Sequence, residues 1–268
     1  MKNNRNLKWI IGIVVVLLVG IGAFFFQSSH SQSENGKTKD TINVGVTGTS
    51  FPTAYKKDGK LTGFDVELIR LAGKKAGYHV NIVTGEFDGL LSQLDNGKLD
   101  TVANDIAITP ERKQKYDFGK IYNKEETTIA VPKNTNYKNI KDLDGKVVSS
   151  AVASNNTANL RKYDDKINIK TFDARDLTYE ALLSGKVDGV VNTRNNLNAL
   201  IKEKNYDWKV VNGSAATVQI ALPFQKNDQH SAEVKKNLDK AIGEMLKDGT
   251  VGQLSQKYFG YDETKDLK

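Results

Sequence analysis

An α/β fold in two lobes is what this sequence predicts, and three features carry that reading. After residue 40, short apolar strands alternate with segments of helical period, the pattern of a sheet covered by helices. Two stretches 88 positions apart repeat one pattern of helix, glycine, strand and polar end. Beyond an N-terminal leader about 230 residues remain, enough for one large domain or two lobes of about 100 residues each.

The leader comes first in the chain. Residues 9–26 are an unbroken apolar run of 18 residues, at the lower edge of what spans a bilayer as a helix. Lys2, Arg5 and Lys8 precede it, which places that end in the cytoplasm and everything after Phe26 outside. The run closes on Phe24-Phe25-Phe26-Gln27-Ser28, a poor cleavage site, so residues 1–26 read as an uncleaved membrane anchor in preference to a cleaved signal segment. Residues 27–40 hold no large apolar side chain and read as a flexible linker, because too little surface can be buried there to offset the entropy of ordering.

Within the folded part, residues 41–46 predict the first strand and residues 63–76 a helix with Val66, Ile69, Leu71 and Ala72 on one side. Residues 78–83 return as a strand. The repeated pattern then occupies residues 90–104 and 181–192: each half is a helix stopped by glycine (Gly97, Gly185), a Lys-x-Asp step, and a buried strand opening into polar residues. A chance recurrence of a common helix-to-strand connection is the alternative. Residues 128–133 and 219–224 read as strands interrupted by Pro132 and Pro223, where the chain crosses between lobes. The first lobe is thus expected from residues 41–130 and 222–262, the second from 131–221, with 263–268 as a tail. Ligands of open α/β sheets bind beyond the carboxyl ends of the strands. That puts Asn104 and Asp105 of one lobe opposite Asn192 and Thr193 of the other, across an interlobe cleft.

Composition narrows the chemistry. The formal charge is +7, but three of the 39 basic residues precede the apolar run, so 36 face 32 acids and no long basic block exists. Nucleic acid is therefore not an expected partner. With no cysteine, disulfides, thiolate catalysis and a lipid-attachment site are excluded, and His30, His79 and His230 lack metal-ligand spacing. No metal and no cofactor are expected. Arg112 follows Thr109 and Pro110, which start a helix well, and an arginine there either clamps a carboxylate bidentately or is an exposed helix residue beside Lys113 and Lys115.

Gly63-Phe64-Asp65-Val66-Glu67-Leu68, followed by Ala72-Gly73 and Ala76, resembles the signature of the bacterial family 3 extracellular solute-binding proteins. Thr109-Pro110-Glu111-Arg112 with Tyr116-Asp117-Phe118 resembles that family's second hallmark, and Leu246-Lys247-Asp248-Gly249-Thr250 with Lys257-Tyr258-Phe259-Gly260 its closing helices. The similarity spans about residues 41–262. It implies a periplasmic-binding-protein architecture that closes over its ligand by a hinge. It implies further that Arg112 grips a ligand α-carboxylate, assisted by backbone amides near Ala107 and around Ser154 and Asn155, with Phe87 as aromatic wall. Without the resemblance Phe87 reads equally as a core residue before a helix. Ser50 stands where many members carry a second aromatic, for which Phe51 is the expected substitute. Asp65 and Glu67 read as structural acids of a helix first turn. Many amino-acid binders place an acid five residues after the Asp188 equivalent to hold the α-ammonium. This chain has Thr193 there, and Asp105 is expected to take over, unless the ligand is not an ordinary α-amino acid. Val102-Ala103-Asn104, Ile106 and Ala153-Ser154-Asn155 look most like the cystine-binding and polar amino-acid branch.

The resulting expectation is the substrate-binding component of an amino-acid ABC importer on the outer face of the cell membrane (the periplasm if an outer membrane is present). Cystine or another polar amino acid is the ligand, and a permease with its ATPase subunits the partner. Catalysis is not expected. The alternatives are a dehydratase-like enzyme of the same fold, for which Asp105 is the one good general-acid candidate, and a ligand-sensing ectodomain.

Overall fold

The structure, a computed structural model, describes residues 40–267. The expected anchor at 1–26 and nearly all of the linker lie outside the described residues. Among those described, no helix is long and apolar enough to cross a membrane.

In chain order the first elements are β1 (Thr41–Val46), β2 (Thr49–Ser50), β3 (Ala54–Lys57), β4 (Lys60–Thr62), α1 (Phe64–Ala76), β5 (His79–Thr84), α2 (Phe87–Asp95), β6 (Thr101–Val102), α3 (Pro110–Lys115) and β7 (Tyr116–Phe118). They continue with β8 (Asn123–Pro132), β9 (Val147–Ala151), α4 (Asn155–Tyr163), β10 (Asn168–Phe172), α5 (Arg175–Leu183), β11 (Gly189–Thr193) and α6 (Arg194–Lys204). The chain then closes through β12 (Trp208–Val210), β13 (Ala216–Ile220), β14 (Pro223–Gln225), α7 (Gln229–Lys247) and α8 (Thr250–Phe259).

One lobe is built on the parallel sheet β5–β1–β6. The period of two along β1 sends Ile42, Val44 and Val46 into a core shared with α1, α7 and α8. Gly45, between them, faces the other side, where a Cβ would lie 2.7 Å from Leu99 Cδ1 and 3.1 Å from Leu90 Cδ2. The missing side chain is what lets α2 approach. Helix α1 buries Phe64, Leu68 and Ala72, positions four apart, together with Val66 and Ile69, whereas Leu71 is 41% exposed. The expected apolar face therefore included one wrong residue: at 100° per residue Leu71 lies about 160° round the helix from Ile69 and about 140° from Val66, at the edge of the buried face. Residues 263–267 do not hang free as a tail, since Thr264 is fully buried and Leu267 packs on this core.

The other lobe is built on a sheet of order β10–β9–β11–β8–β12, with β13 also paired to β8. Alternating residues again feed two faces: Ile129, Val131, Val148 and Val191 join one cluster, Ala130 and Val190 the other. Burying each such aliphatic side chain contributes about 1.5–3 kcal/mol.

The repeat 88 positions apart has a common geometry. After α2, Gly97 N–H donates to Leu94 O and Lys98 N–H to Gln93 O; after α5, Gly185 N–H donates to Leu182 O and Lys186 N–H to Ala181 O. Both glycines are left-handed, with φ of 67° and 69°. Asp100 then accepts from Asn43 N–H of β1 at 2.6 Å, and Asp188 from Val147 N–H of β9 at 2.9 Å. Each aspartate thus ties the start of its own strand to the neighbouring strand, so the Lys-x-Asp step does one job twice.

The chain enters the second sheet on β8 and leaves it on β13, and these two strands pair antiparallel from Asn123↔Ile220 to Thr127↔Ala216. The expected crossing at residues 130–131 lies inside β8, and that at 221–222 just past β13. The loop before α3 is zipped to the same place, because Ile108 N–H donates to Gln219 O and Ala221 N–H to Ile106 O.

Candidate binding cleft between the lobes

Thr47, Ser50, Phe87 and Asn104 of the first lobe face Val152, Ser154 and Arg175 of the second. All sit at or just beyond strand ends, as the fold requires. The space enclosed is about 20 Å³, room for a single water-sized molecule. Anything larger enters only if the lobes move apart.

On the first-lobe side, Asn104 is 3% exposed. Its Oδ1 accepts from Thr47 N–H at 2.9 Å and Thr47 Oγ1 at 2.8 Å, and its Nδ2 donates to Ser50 Oγ at 3.4 Å. Asn104 therefore braces the β1–β2 turn. Phe51 lies apart from this group. Its ring packs edge-on to Tyr55 at 4.7 Å and against the second-lobe apolar cluster, lining a different groove beside Tyr258. Ser50 thus faces the cleft, while Phe51, expected as a second cleft aromatic, lines the neighbouring groove.

Helix α3 is capped as expected, Thr109 Oγ1 accepting from Arg112 N–H at 3.2 Å with Pro110 in the first turn. The cap orients Arg112 toward the lobe seam. Its Nη1 donates to Ala107 O at 3.1 Å in one lobe and its Nη2 to Ala153 O at 3.3 Å in the other. The guanidinium lies 5.5 Å from the Phe87 ring centroid, a cation–π contact. Burial pulls the Arg112 pKa below its ordinary value, with Tyr116, Asp105 and Glu111 opposing. Ala107 thus meets Arg112 through its carbonyl. Ser154 caps α4, accepting from Asn156 N–H at 3.3 Å, and with Asn155 and Arg112 borders a wider groove at the cleft mouth.

On the second-lobe side, Asn192 is fully buried. Its Oδ1 accepts from Arg175 Nη1 at 2.6 Å and Thr193 N–H at 2.8 Å, and its Nδ2 donates to Tyr179 Oη at 2.7 Å. Asn192 therefore aims Arg175, and Asn156 Nδ2 adds a third, longer contact to the same Oδ1 at 3.4 Å. Arg175 was not singled out by the sequence. Its one signal is a cation in the first turn of α5, where the helix dipole disfavours it.

Behind the cleft lies a knot of carboxyls. Asp65, in the first turn of α1, accepts from Asp105 N–H at 2.6 Å and Tyr122 Oη at 2.8 Å, holding Asp105 in the left-handed region at φ 58°. Asn196 Nδ2 of α6 donates to Asp105 Oδ2 at 3.2 Å. Glu125 of β8, 1% exposed, faces both Asp105 and Thr193. Burial raises all three acids, and each also feels a neighbouring carboxylate or guanidinium. Asp65 rises to about 8 through burial and Asp105; Glu125 rises well above the usual range for the same reasons. Asp105 is raised by burial against the pull of Arg175. Glu125 and Asn196 were also missed, because a Glu in a strand and an Asn in a helix carry no local signature of a site.

The profile of bacterial extracellular solute-binding proteins, family 3, matches residues 42–261. "Probable amino-acid-binding protein YxeM" of Bacillus subtilis is 40% identical over 264 residues, covering 97% of this chain and 98% of its own. The L-cystine-binding protein TcyJ of Escherichia coli K12 is 30% identical, covering 96% of each chain. Among solved structures, the arginine-, lysine-, histidine-binding protein ArtJ of Geobacillus stearothermophilus superimposes with a TM-score of 0.77 at 28% identity, over 83% of this chain and 96% of that one. The chain belongs to the bacterial extracellular solute-binding proteins, family 3.

Proposed function

We propose that this chain is the ligand-capturing subunit of an amino-acid ABC importer. It is held at the outer face of the membrane by its N-terminal segment and hands cystine or another polar amino acid to a permease. One observation carries the reading: Arg112 bonds a carbonyl from each lobe above the Phe87 ring, at a seam that two crossing strands allow to open. A carboxylate presents two charged oxygens to that guanidinium in place of two neutral carbonyls, and charge-assisted bidentate pairs are the stronger. Phe87 supplies the wall, and the N-terminus of α4 at Ser154 and Asn155 adds favourable dipole for an anion. Ligand held by both lobes exists only in the closed form, so binding shifts the population toward it. The roles named for the matched relatives, amino-acid and L-cystine binding, support the ligand class.

Thermal-shift screening of the full chain against the proteinogenic amino acids and L-cystine tests this. A saturable, concentration-dependent rise for at least one α-amino acid is expected. A flat response to all of them sinks the reading.

A further inference from the structure

Three buried polar atoms at the hinge lack a close hydrogen-bond partner, and the Thr193 hydroxyl beside Glu125 is the one among them that can also donate. Glu125 Oε2, Thr193 Oγ1 and Asn196 Oδ1 make no hydrogen bond, and their residues are 1%, 3% and 2% exposed. They belong together: Glu125 faces Asp105 and Thr193, and Asn196 reaches Asp105 through its other amide atom. Thr193 stands at the first position before α6, where its hydroxyl would ordinarily cap the helix, yet it makes no such bond. The guanidiniums whose charge reaches Asp105 are engaged elsewhere, Arg175 on Asn192 and Arg112 on two carbonyls, and Arg194 beside Thr193 is held by Glu126. Buried polar atoms are nearly always paired, and each orphan asks for a partner. Acceptors grouped around two carboxyls ask for a cation with several N–H donors, and an ammonium carries three.

We propose that Glu125, with Asp105, Thr193 and Asn196, forms the subsite for the α-ammonium of the ligand, the carboxylate coming from hinge strand β8 and not from position 193. The inference rests on the amino-acid reading above and names its second anchor. It has a mechanical consequence. Asp105 sits in the first lobe, Thr193 and Asn196 in the second, and Glu125 on the strand that crosses between them. The four come together only when the lobes close, so the ammonium contributes to closure as well as to affinity.

The test crosses the protein group with the ligand group. The full chain is titrated with L-cystine, L-arginine, L-glutamine and L-histidine, and the strongest binder is compared with the same acid lacking its α-ammonium (3,3′-dithiodipropionic acid in the case of cystine). In wild type the amino acid is expected to bind at least about tenfold tighter than its desamino analogue. In Glu125→Gln that preference is expected to vanish, the amino acid weakening at least about tenfold and the analogue little. In the double variant Glu125→Gln with Thr193→Asp, which returns a carboxylate to the opposite wall, most of the preference is expected back. A Glu125→Gln protein that weakens both ligands equally, or neither, overturns the subsite while leaving the amino-acid reading intact. A wild type that binds none of the four amino acids overturns both. Should Glu125→Gln fail to unfold cooperatively, Asn196→Ala is read by the same preference.

Discussion

Arg112 is the residue on which most of the proposed chemistry turns. Arg112→Ala removes a cation that lies at the seam without belonging to either hydrophobic core, so binding of the amino acid found by screening is expected to fall at least about a hundredfold while the urea midpoint moves little. Calorimetric titration beside an unfolding curve checks both halves. Arg112→Lys is expected to recover little, since an ammonium does not reproduce the planar fork. The carboxyl knot adds a pH signature. Asp65 is raised to about 8 when folded, against about 3.9 for an unfolded aspartate. Between these values the folded state binds the extra proton, so ligand-free stability falls as pH rises through that window and levels off above it. Asp105, Glu125 and the Tyr122 hydroxyl face the same group, and the raised acids push in the same direction, while Arg175 and Arg112 oppose it at Asp105. Urea midpoints at pH 5 and pH 9 measure the slope; a midpoint that rises with pH contradicts the assignment. The helix start that carries Arg112 was legible in the sequence because cap, proline and arginine sit within four positions, whereas spacing alone left the arginine's own role open. Glu125 and Arg175 were not, because what makes them special is a neighbour from another part of the chain.

At the scale of elements, Asp100 and Asp188 do the same work in the two lobes and are expected to cost the same. Replacing either by Ala leaves a strand N–H without its charged acceptor, a loss of about 1.5–3 kcal/mol, read as matched drops in unfolding free energy from denaturant curves. Unequal losses would show that the two halves have diverged in how they are held. Gly63 is a different kind of constraint. Its φ is 132°, and a Cβ there would stand 2.2 Å from Thr53 O. Gly63→Ala forces backbone to move before α1 begins, at a cost of about 3 kcal/mol from strain and overpacking together. A substitution that leaves the melting temperature unchanged would mean that the turn relaxes freely. The repeat was visible in the sequence because each half is local: glycine stop, lysine, aspartate and strand follow in order. The place of the hinge was less so, since Pro132 ends a ten-residue strand β8 and does not mark where the crossing begins.

For the whole molecule, the closed cleft with its roughly one-water volume implies an opening step before capture. Contacts that bridge the lobes include Arg112 to Ala153, Asn196 to Asp105, Tyr261 Oη to Asn195 Oδ1, the ion pair Lys57–Glu203 and the packing of Phe51 on the second-lobe cluster. Ligand that adds its own bridges raises stability by mass action, about 2.7 kcal/mol at a hundred times Kd. The melting temperature should therefore keep rising with ligand concentration beyond saturation of the site. A plateau at one equivalent would contradict binding to the folded state alone.

Local order along the chain determined a great deal about this protein by itself. Strand β1, the start of α3, both halves of the repeat and the family signatures are each written within a few consecutive residues, because caps, glycine stops and alternation are short-range physics. Tertiary structure alone decided the rest. It turned Phe51 out of the cleft and set Asn192 to aim Arg175. It also gathered Asp65, Asp105 and Glu125 from α1, a loop and the hinge strand into one buried knot. Burial and charge at such a place depend on which distant segments pack together, and no run of neighbouring residues encodes that.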